Sequence, residues 1–367
     1  MNSCELMEDL NAMSFQPSDS QKKIRESWID LAKGVGILLV VWAHSLPKDH
    51  QIWILINSFH MPFFFMLSGY LYKKRGTAID FILRKVKSLW LPFMVSSTFV
   101  ALFRMVIRKH LKFNLIFWAK YIVKLLFLFE IEPILGAIWF IQVLFYAIIL
   151  YDLIIRLLSK ITHKYNEHIE SLIAVSMLLL GIHSNFPLHG SVILNSVAFI
   201  HFGNIIKRRC WLEKVKLPAS LLMIALCTLV SFYNKTSYVG NSYTNSMLFI
   251  FGSCTGSIGL MSMCKIINRQ NLGINVFSYL GRHSMGIMIW EFVSFKIAIA
   301  IQILFYGLSW SQLSAFPVIY EYAYGLWVIL YVFIGLYASI AIYNIINVPI
   351  QQFIIKHSAR LKPAASR

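Results

Sequence analysis

Four of the ionisable residues that stand inside largely apolar segments could carry chemistry. Lys33 and His44 belong to the first such segment, His60 to the second and Glu291 to one near the C-terminal end. If the segments are helices, a rise of about 1.5 Å per residue separates Lys33 from His44 by about 16 Å, roughly half a bilayer core. His60 and Glu291 then lie at a depth similar to that of His44. Ionisable groups at membrane depth are costly and turn inward, so we predict that these three meet in a cavity.

His44 is the best candidate for a general base. A hydroxyl becomes a good nucleophile when a base removes its proton, and a neutral imidazole does so near neutral pH, whereas an unpaired lysine is protonated. The alternative is a histidine that only binds a carbonyl of a neighbouring helix. For His60 a structural or substrate-orienting role is as well supported as a catalytic one, because Pro62 frees a backbone carbonyl nearby.

The first two apolar segments resemble the opening of the integral-membrane acyltransferase 3 family. The matching positions are Arg25, Asp30, Lys33-Gly34 and His44. In that family a basic residue and a histidine are separated by ten others on the first membrane helix. The next segment, with FHMPFFF at 59–65 and LSGY at 67–70, is most similar to the branch of fucose O-acetylase-like sugar acetylases. The resemblance implies transfer of an acyl group, usually acetyl, from acyl-coenzyme A to a sugar hydroxyl.

The resemblance and the depth argument together predict a catalytic set. Its members are His44, Lys33, His60 and Glu291. Glu291 departs from the family, which commonly has histidine there, and Met288 replaces a family tyrosine. Glu291 is open to three interpretations: it orients His44, stabilises its imidazolium, or pairs with a basic group. Direct attack on the thioester and a covalent acyl-histidine both remain open.

A basic run before the third apolar segment resembles the Arg-x-x-Arg motif of the family, with Arg84 and Lys87 in its two places. Basic groups three apart share a helix face, here at the cytoplasmic boundary, where acyl-coenzyme A would present its phosphates. Lysine binds phosphate without the bidentate fork of arginine. We predict that Arg84, Lys87 and Arg25 bind the donor. The alternative is charge that only sets membrane topology.

Trp139 lies in IWFI at 138–141, which resembles a Leu-Trp-Phe-Leu sequence of the family. It is predicted to bind the acceptor or, equally well, to anchor its helix at the membrane interface. Gln142, one helical turn deeper, is predicted to face the cavity. We predict no metal site, because the five cysteines include no CxxC or Cys/His ligand spacing.

The whole chain has the composition of a membrane protein. Of its 367 residues 58% are hydrophobic and 14% charged, and its mean hydropathy is +0.65. A soluble domain has about 25% charged residues, so this chain cannot cover a water-facing surface of its size. Apolar runs of about 17–25 residues favour helices over a barrel. We predict an all-α polytopic membrane bundle of about ten transmembrane helices, with no appended soluble domain and no tightly bound cofactor.

The predicted spans lie at 29–47, 51–72, 88–107, 134–156, 169–183, 190–206, 217–233, 245–264, 283–305 and 323–349. With the N-terminus inside, 25 of the 34 Lys and Arg residues face the cytoplasm, as the positive-inside rule expects. The net charge of +18 therefore reflects topology rather than nucleic-acid binding. Residues 1–24 are predicted to be a flexible cytoplasmic tail, 25–350 the transmembrane acyltransferase domain and 351–367 a basic cytoplasmic tail, in a bacterial inner membrane.

Two alternatives concern topology and function. The stretch at 111–130 is both basic and apolar, and we interpret it as an amphipathic element on the outer face rather than as an eleventh span. A helical bundle with buried His, Glu and Gln also suits a proton-coupled transporter, a flippase for lipid-linked sugars, or an inactive sensor-like relative. The Lys33/His44 pair together with Arg84 and Lys87 favours the enzyme. Its predicted partners are acyl-coenzyme A, membrane lipid, and an acceptor that is an O-antigen or capsular unit, another surface or lipid-linked glycan, or a small metabolite.

Overall fold

The computed structural model describes residues 26–107, 133–161, 167–270 and 275–360, together with residues 116, 120, 123 and 124. Arg25, the predicted N-terminal tail and most of the predicted amphipathic element at 111–130 lie outside these ranges. The described chain is a bundle of helices, and the only strands within it form one short hairpin. The all-α prediction is therefore confirmed.

The helices follow one another along the chain. They are α1 (Ser27–His44), α2 (Gln51–Tyr70), α3 (Ala78–Lys85), α4 (Leu91–Ile107), α5 (Trp139–Ile161), α6 (Glu167–His183), α7 (Gly190–Arg208), α8 (Trp211–Lys214), α9 (Leu217–Ser231), α10 (Ser246–Arg269), α11 (Asn275–Arg282), α12 (Ser284–Tyr306) and α13 (Leu326–Arg360). A π-helical turn at Val86–Trp90 joins α3 to α4. Short 3₁₀ turns lie at Pro133–Ile138, Trp310–Ser314 and Tyr320–Tyr322.

Six helices of the described chain are long and apolar enough to cross a membrane: α1, α2, α5, α10, α12 and α13. The other predicted spans, at 88–107, 169–183, 190–206 and 217–233, coincide mainly with α4, α6, α7 and α9. Every predicted span is thus largely helical. Helix α13 continues to Arg360, beyond residue 350, where the basic tail was predicted to begin.

Helices α1 and α11 cross in direct backbone contact. A Cβ atom at Gly34 would lie 1.8 Å from the carbonyl oxygen of Phe277, and one at Gly281 would lie 1.8 Å from that of Asp30. No side chain fits at either position, because the backbone of the other helix already occupies that space. Small residues allow helices to approach this closely. The contact holds α11 across the first half of α1, and so fixes where α12 begins at Ser284.

A second pair of glycines joins α2 to α7. A Cβ atom at Gly69 would lie 1.8 Å from the carbonyl oxygen of Ile200, and one at Gly203 would lie 1.8 Å from that of Met66. Both close crossings lie toward the end of the bundle at which α1 begins and α2 ends. That end is consequently the more tightly packed.

Polar side chains connect the last two long helices. The Trp290 indole N–H donates to Asn347 Oδ1 at 2.8 Å, and the hydroxyls of Ser294 and Ser339 lie 2.9 Å apart. Bonds of this kind contribute about 0.6 kcal/mol each between membrane helices. Their sum is small beside the packing, so we interpret them as fixing the rotation of α12 against α13, and therefore the direction in which Glu291 points.

The opposite end of the bundle is closed by irregular chain. Between α9 and α10 lies a short hairpin with two residues in each strand. It pairs β1 (Thr236–Ser237) with β2 (Ser242–Tyr243), so that Thr236 faces Tyr243. Asn241 in its turn has a φ of +47°, a backbone conformation that asparagine tolerates better than most residues. The segment between α12 and α13 covers the same end of the bundle.

Candidate active site

A large cavity, which we call the histidine cavity, opens among α1, α2, α5 and α12. Its volume is about 530 Å³, and its lining includes His44, His60, Trp139, Tyr238 and Tyr320. The hairpin and the segment before α13 complete the wall that the helices leave open. Of the three groups predicted to meet in a cavity, His44 and His60 line this one, whereas Glu291 is not among its lining residues.

A second cavity, the lysine cavity, lies nearer the start of α1. Its volume is about 220 Å³, and its lining includes Lys33, Lys85, Ser68 and Ser284 among apolar side chains. The two close glycine crossings lie beside it, since Gly34 follows Lys33 and Gly69 follows Ser68. The narrowness of this cavity follows from that packing.

The two cavities are stacked along the bundle, because the same four helices line both of them. On α1, Lys33 lines the lysine cavity and His44 the histidine cavity. On α12, Ser284 lines the lysine cavity, Met288 lines both cavities and Phe292 lines the histidine cavity. Positions four apart share a helix face, so one stripe of α12 passes both cavities. Helices α2 and α5 contribute to both in the same way.

His44 and Glu291 form a direct pair across α1 and α12. His44 Nδ1 lies 2.8 Å from Glu291 Oε1; the carboxylate is fully buried, and the imidazole side chain is 26% exposed. If the carboxylate is ionised it can only accept a hydrogen bond; Nδ1 then donates, and the lone pair is on Nε2. The second carboxylate oxygen has no hydrogen-bond partner within the described chain. Of the three interpretations of Glu291, the contact favours a carboxylate that orients the imidazole and stabilises its protonated form.

His60 has a different environment from His44. Its Nδ1 donates to the carbonyl oxygen of Ile56, one turn earlier on the same helix, at 2.8 Å. The carbonyl that Pro62 deprives of its helical donor is that of Ser58, and the hydroxyl of Ser253 on α10 donates to it at 2.9 Å. His60 is therefore not needed to satisfy that carbonyl, and its ring is held in place on the wall of the histidine cavity.

Aromatic rings form much of the wall opposite the imidazoles. The ring of Trp139 stacks on that of Tyr238 with 6.3 Å between centroids, and Tyr238 in turn stacks on Phe65 at 5.6 Å. Trp139 is thus placed as a wall residue, as one of its two predicted roles requires. Gln142 is buried and is not among the residues that line either cavity, so its contact with a substrate stays a prediction.

The lysine cavity concentrates positive charge. Lys33 and Lys85 both line it. Burial, followed by the nearby charges of Arg84 and Lys33, lowers the pKa of the Lys85 ammonium group. Two like charges beside one small cavity repel each other, and a bound anion relieves that repulsion. This end of the site is suited to a negatively charged ligand.

The predicted donor-binding residues Arg84 and Lys87 lie outside the lysine cavity, unlike Lys85. Arg84 is exposed and donates to the carbonyl oxygen of Arg75 at 2.7 Å, and Lys87 is exposed on the π-helical turn. Neither lines the lysine cavity. The prediction assumed α-helical spacing, whereas a π-helical turn changes the rotation per residue after Lys85. Arg25, the third predicted member, lies outside the described residues.

Sequence reasoning missed Lys85 and the role of the loops. Lys85 stands in a run of basic residues, and charge alone cannot show which of them turns inward. The hairpin residues that line the histidine cavity carry no motif. Met288 was noticed as a departure from the family, yet nothing in the sequence indicated that it would lie between two cavities.

Comparison with known proteins adds one finding. A family model described as an acyltransferase domain, Acyl_transf_3, matches residues 26–344. The match contains every described residue that lines the two cavities. Searches of curated proteins and of solved structures found no match to this chain.

Proposed function

Because this chain belongs to the acyltransferase 3 family (Acyl_transf_3), we propose that it transfers an acetyl group from acyl-coenzyme A to a hydroxyl group of a sugar. The family match and the apolar helices make it a multi-pass membrane acyltransferase. The donor, the acceptor and the roles of individual residues are the proposal. One observation carries it: an imidazole oriented by a buried carboxylate faces a cavity that is stacked on a second, cationic cavity.

The reaction begins with the acceptor hydroxyl beside His44. Nε2 removes the hydroxyl proton as the oxygen attacks the carbonyl carbon of the thioester. The C–S bond then breaks, the coenzyme A thiolate leaves, and the proton on the imidazolium returns to the thiolate directly or through water. Glu291 holds Nδ1–H throughout and stabilises the positive charge that His44 acquires in the transition state.

The donor enters from the lysine cavity. Its phosphates lie near the basic end of the bundle, where Lys33 and Lys85 line the cavity and Arg84 and Lys87 provide further positive charge outside it. The apolar walls receive the thioester end. In this proposal the basic end lies in the cytoplasm, where acyl-coenzyme A is made, and the histidine cavity lies toward the outer face of a bacterial inner membrane; the positive-inside bias of the sequence supports this orientation.

The acceptor occupies the histidine cavity. A sugar presents hydroxyl groups at its edge and apolar C–H faces, and the cavity offers both aromatic walls and polar groups, among them Asn57 and His60. Ligand sites commonly combine apolar walls with a few polar groups that fix orientation. A lipid-linked or surface glycan reaches this cavity from the outer face of the membrane.

The direct test uses purified protein in lipid vesicles, with radiolabelled acetyl-coenzyme A and methyl glycosides of hexoses as probe acceptors. We expect free coenzyme A to appear at a rate that increases with the sugar, and mass spectrometry to find one added acetyl group on it. His44→Ala should lower the rate by about 10²–10⁴, the usual contribution of a general base. His183→Ala, an exposed histidine at the end of α6 that lines neither cavity, is the control.

Three outcomes would contradict the proposal. Full activity of His44→Ala would remove the base. Equal losses in His44→Ala and His183→Ala would point to general damage. Movement of labelled sugar across the vesicle membrane, with no release of coenzyme A, would favour the transporter or flippase instead. Mass spectrometry of surface glycans from cells with and without the protein would then identify the natural acceptor.

A further inference from the structure

Two side chains separate the histidine cavity from the lysine cavity. Phe140 on α5 and Met288 on α12 line both cavities, and no other described residue does. Each side chain is buried, with 5% of its surface exposed. They therefore lie where the two cavities meet.

Phe140 is the rigid side of this boundary. Its ring centroid lies 4.9 Å from that of Phe65 and 5.8 Å from that of Phe64, both on α2. Aromatic pairs at these separations attract one another and hold their rings in a limited range of orientations. A rotation of Phe140 would disturb two contacts at once.

Met288 is the adaptable side. Its side chain is unbranched and has three rotatable bonds, so it changes shape at low cost. It is packed in the buried core of the bundle, where a flexible side chain can still adopt another rotamer. Met288 lies three residues before Glu291 on α12. The bond between Glu291 and His44 fixes the position of the helix at this level. The main chain at Met288 is therefore fixed, and any adjustment at this position falls to its flexible side chain.

Resting on the function proposed above, we propose that the acyl group of the donor crosses between Phe140 and Met288, and that the Met288 side chain limits the length of that acyl group. The carbonyl carbon of the thioester has to reach the hydroxyl beside His44 while the coenzyme A portion stays in the lysine cavity. A short acyl group is accommodated when Met288 bends aside. A longer one meets Met288 and the packed Phe140 ring.

The size of the effect follows from how apolar pockets discriminate chain length. One methylene group more or less in such a pocket changes kcat/KM by about 10–200-fold. Shortening the side chain at position 288 should therefore change the preference among acyl-coenzyme A donors by at least about tenfold. A residue that lines only the lysine cavity should not have this effect.

The experiment compares Met288→Ala with Met285→Ala. Met285 lies nearly one turn earlier on the same helix and lines only the lysine cavity, so it is a matched control for loss of a methionine side chain. For each protein, kcat/KM is measured with acetyl-, butyryl- and hexanoyl-coenzyme A. We expect the ratio of butyryl to acetyl transfer to rise at least about tenfold in Met288→Ala and to stay at the wild-type value in Met285→Ala, whatever happens to the overall rate.

Two further variants protect the test against misfolding. Met288→Val keeps a shorter apolar side chain and should move the ratio in the same direction by a smaller amount. Met288→Phe narrows the passage, so transfer of every acyl group should fall while coenzyme A still binds in calorimetry. Monodispersity in detergent is checked for each variant by size-exclusion chromatography.

The outcomes separate this inference from the proposed function. If the wild-type protein uses no acyl-coenzyme A at all, the proposed function fails. If the wild type is active but the ratio is unchanged in both Met288→Ala and Met288→Val, only the inference fails. An equal change of the ratio in Met285→Ala would also overturn it, because chain length would then be read within the lysine cavity.

Discussion

The histidine cavity and the lysine cavity share four helices but differ in what completes their walls. Loops close the histidine cavity, through Ser237, Tyr238 and Val239 of the hairpin region and through Phe316 and Tyr320 before α13. Every residue that lines the lysine cavity lies in a helix or directly after one. The first has about 530 Å³ and two imidazoles, and the second about 220 Å³ and two ammonium groups.

In the proposed function the two cavities hold different substrates, and this difference in wall construction suits that division. Loops tolerate changes of sequence and length that helices at close crossings do not. A wall built from loops can therefore be altered to suit another acceptor while the donor end stays as it is. The helical wall beside Gly34 and Gly69 tolerates few such changes of sequence. A donor that is common to many reactions does not require the wall of its site to change.

The first prediction removes the carboxylate that binds His44 and leaves the lysine cavity unchanged. Glu291→Ala should lower kcat by at least about 10²-fold, because His44 loses the partner that fixes its tautomer and stabilises its charge. The KM for acyl-coenzyme A should change little. Steady-state kinetics with acetyl-coenzyme A would measure both.

The control for Glu291 is Glu291→His, which restores the residue common in the family at this position. A histidine that binds His44 would recover part of the activity, whereas Glu291→Gln should recover less because it carries no charge or proton to exchange. An unchanged kcat in Glu291→Ala would show that the buried contact is structural only.

The second prediction tests the close helix packing beside the lysine cavity. Gly34→Ala places a methyl group where the Phe277 carbonyl already lies, so α11 has to move away from α1. Overpacking of this kind costs about 1–3 kcal/mol, and we expect a lower unfolding temperature in detergent. In Gly252→Ala the added carbon would meet only the Val230 side chain, at 3.1 Å, so the loss there should be smaller.

The third prediction tests whether the lysine cavity holds the donor. Lys85→Gln should raise the KM for acyl-coenzyme A by about tenfold, as loss of one charge-assisted hydrogen bond would, with little change in kcat. Lys73→Gln, in the exposed irregular segment after α2, should have no effect. A larger rise for Lys87→Gln than for Lys85→Gln would place the phosphates on the exposed basic face instead.

The fourth and smallest effect is expected in the loop wall. Tyr320→Ala removes an exposed ring from the histidine cavity and should raise the KM for a methyl hexoside a few-fold, with the KM for acyl-coenzyme A unchanged. An increase in the KM for acyl-coenzyme A instead would show that the two cavities do not divide the substrates.

Some features of the site were predictable from local rules. The depth of His44, His60 and Glu291 follows from helix rise and bilayer thickness, both of which are nearly constant, so the sequence indicated that these groups come together. Donor binding by Arg84 and Lys87 stays a prediction. That Lys85 is the residue of this basic run that lines the lysine cavity was not predictable, because it depends on how the short helix Ala78–Lys85 is rotated against the bundle.

By itself, then, the sequence determined the helical membrane class and the position of nearly every long helix, and it predicted an imidazole at mid-depth. These depend on composition and on spacing along one segment. Only the tertiary structure decided that the bundle holds two stacked cavities, that Phe140 and Met288 lie between them, and that Glu291 binds His44. Such features depend on how closely helices approach and how each is rotated, and residues far apart in the chain set both.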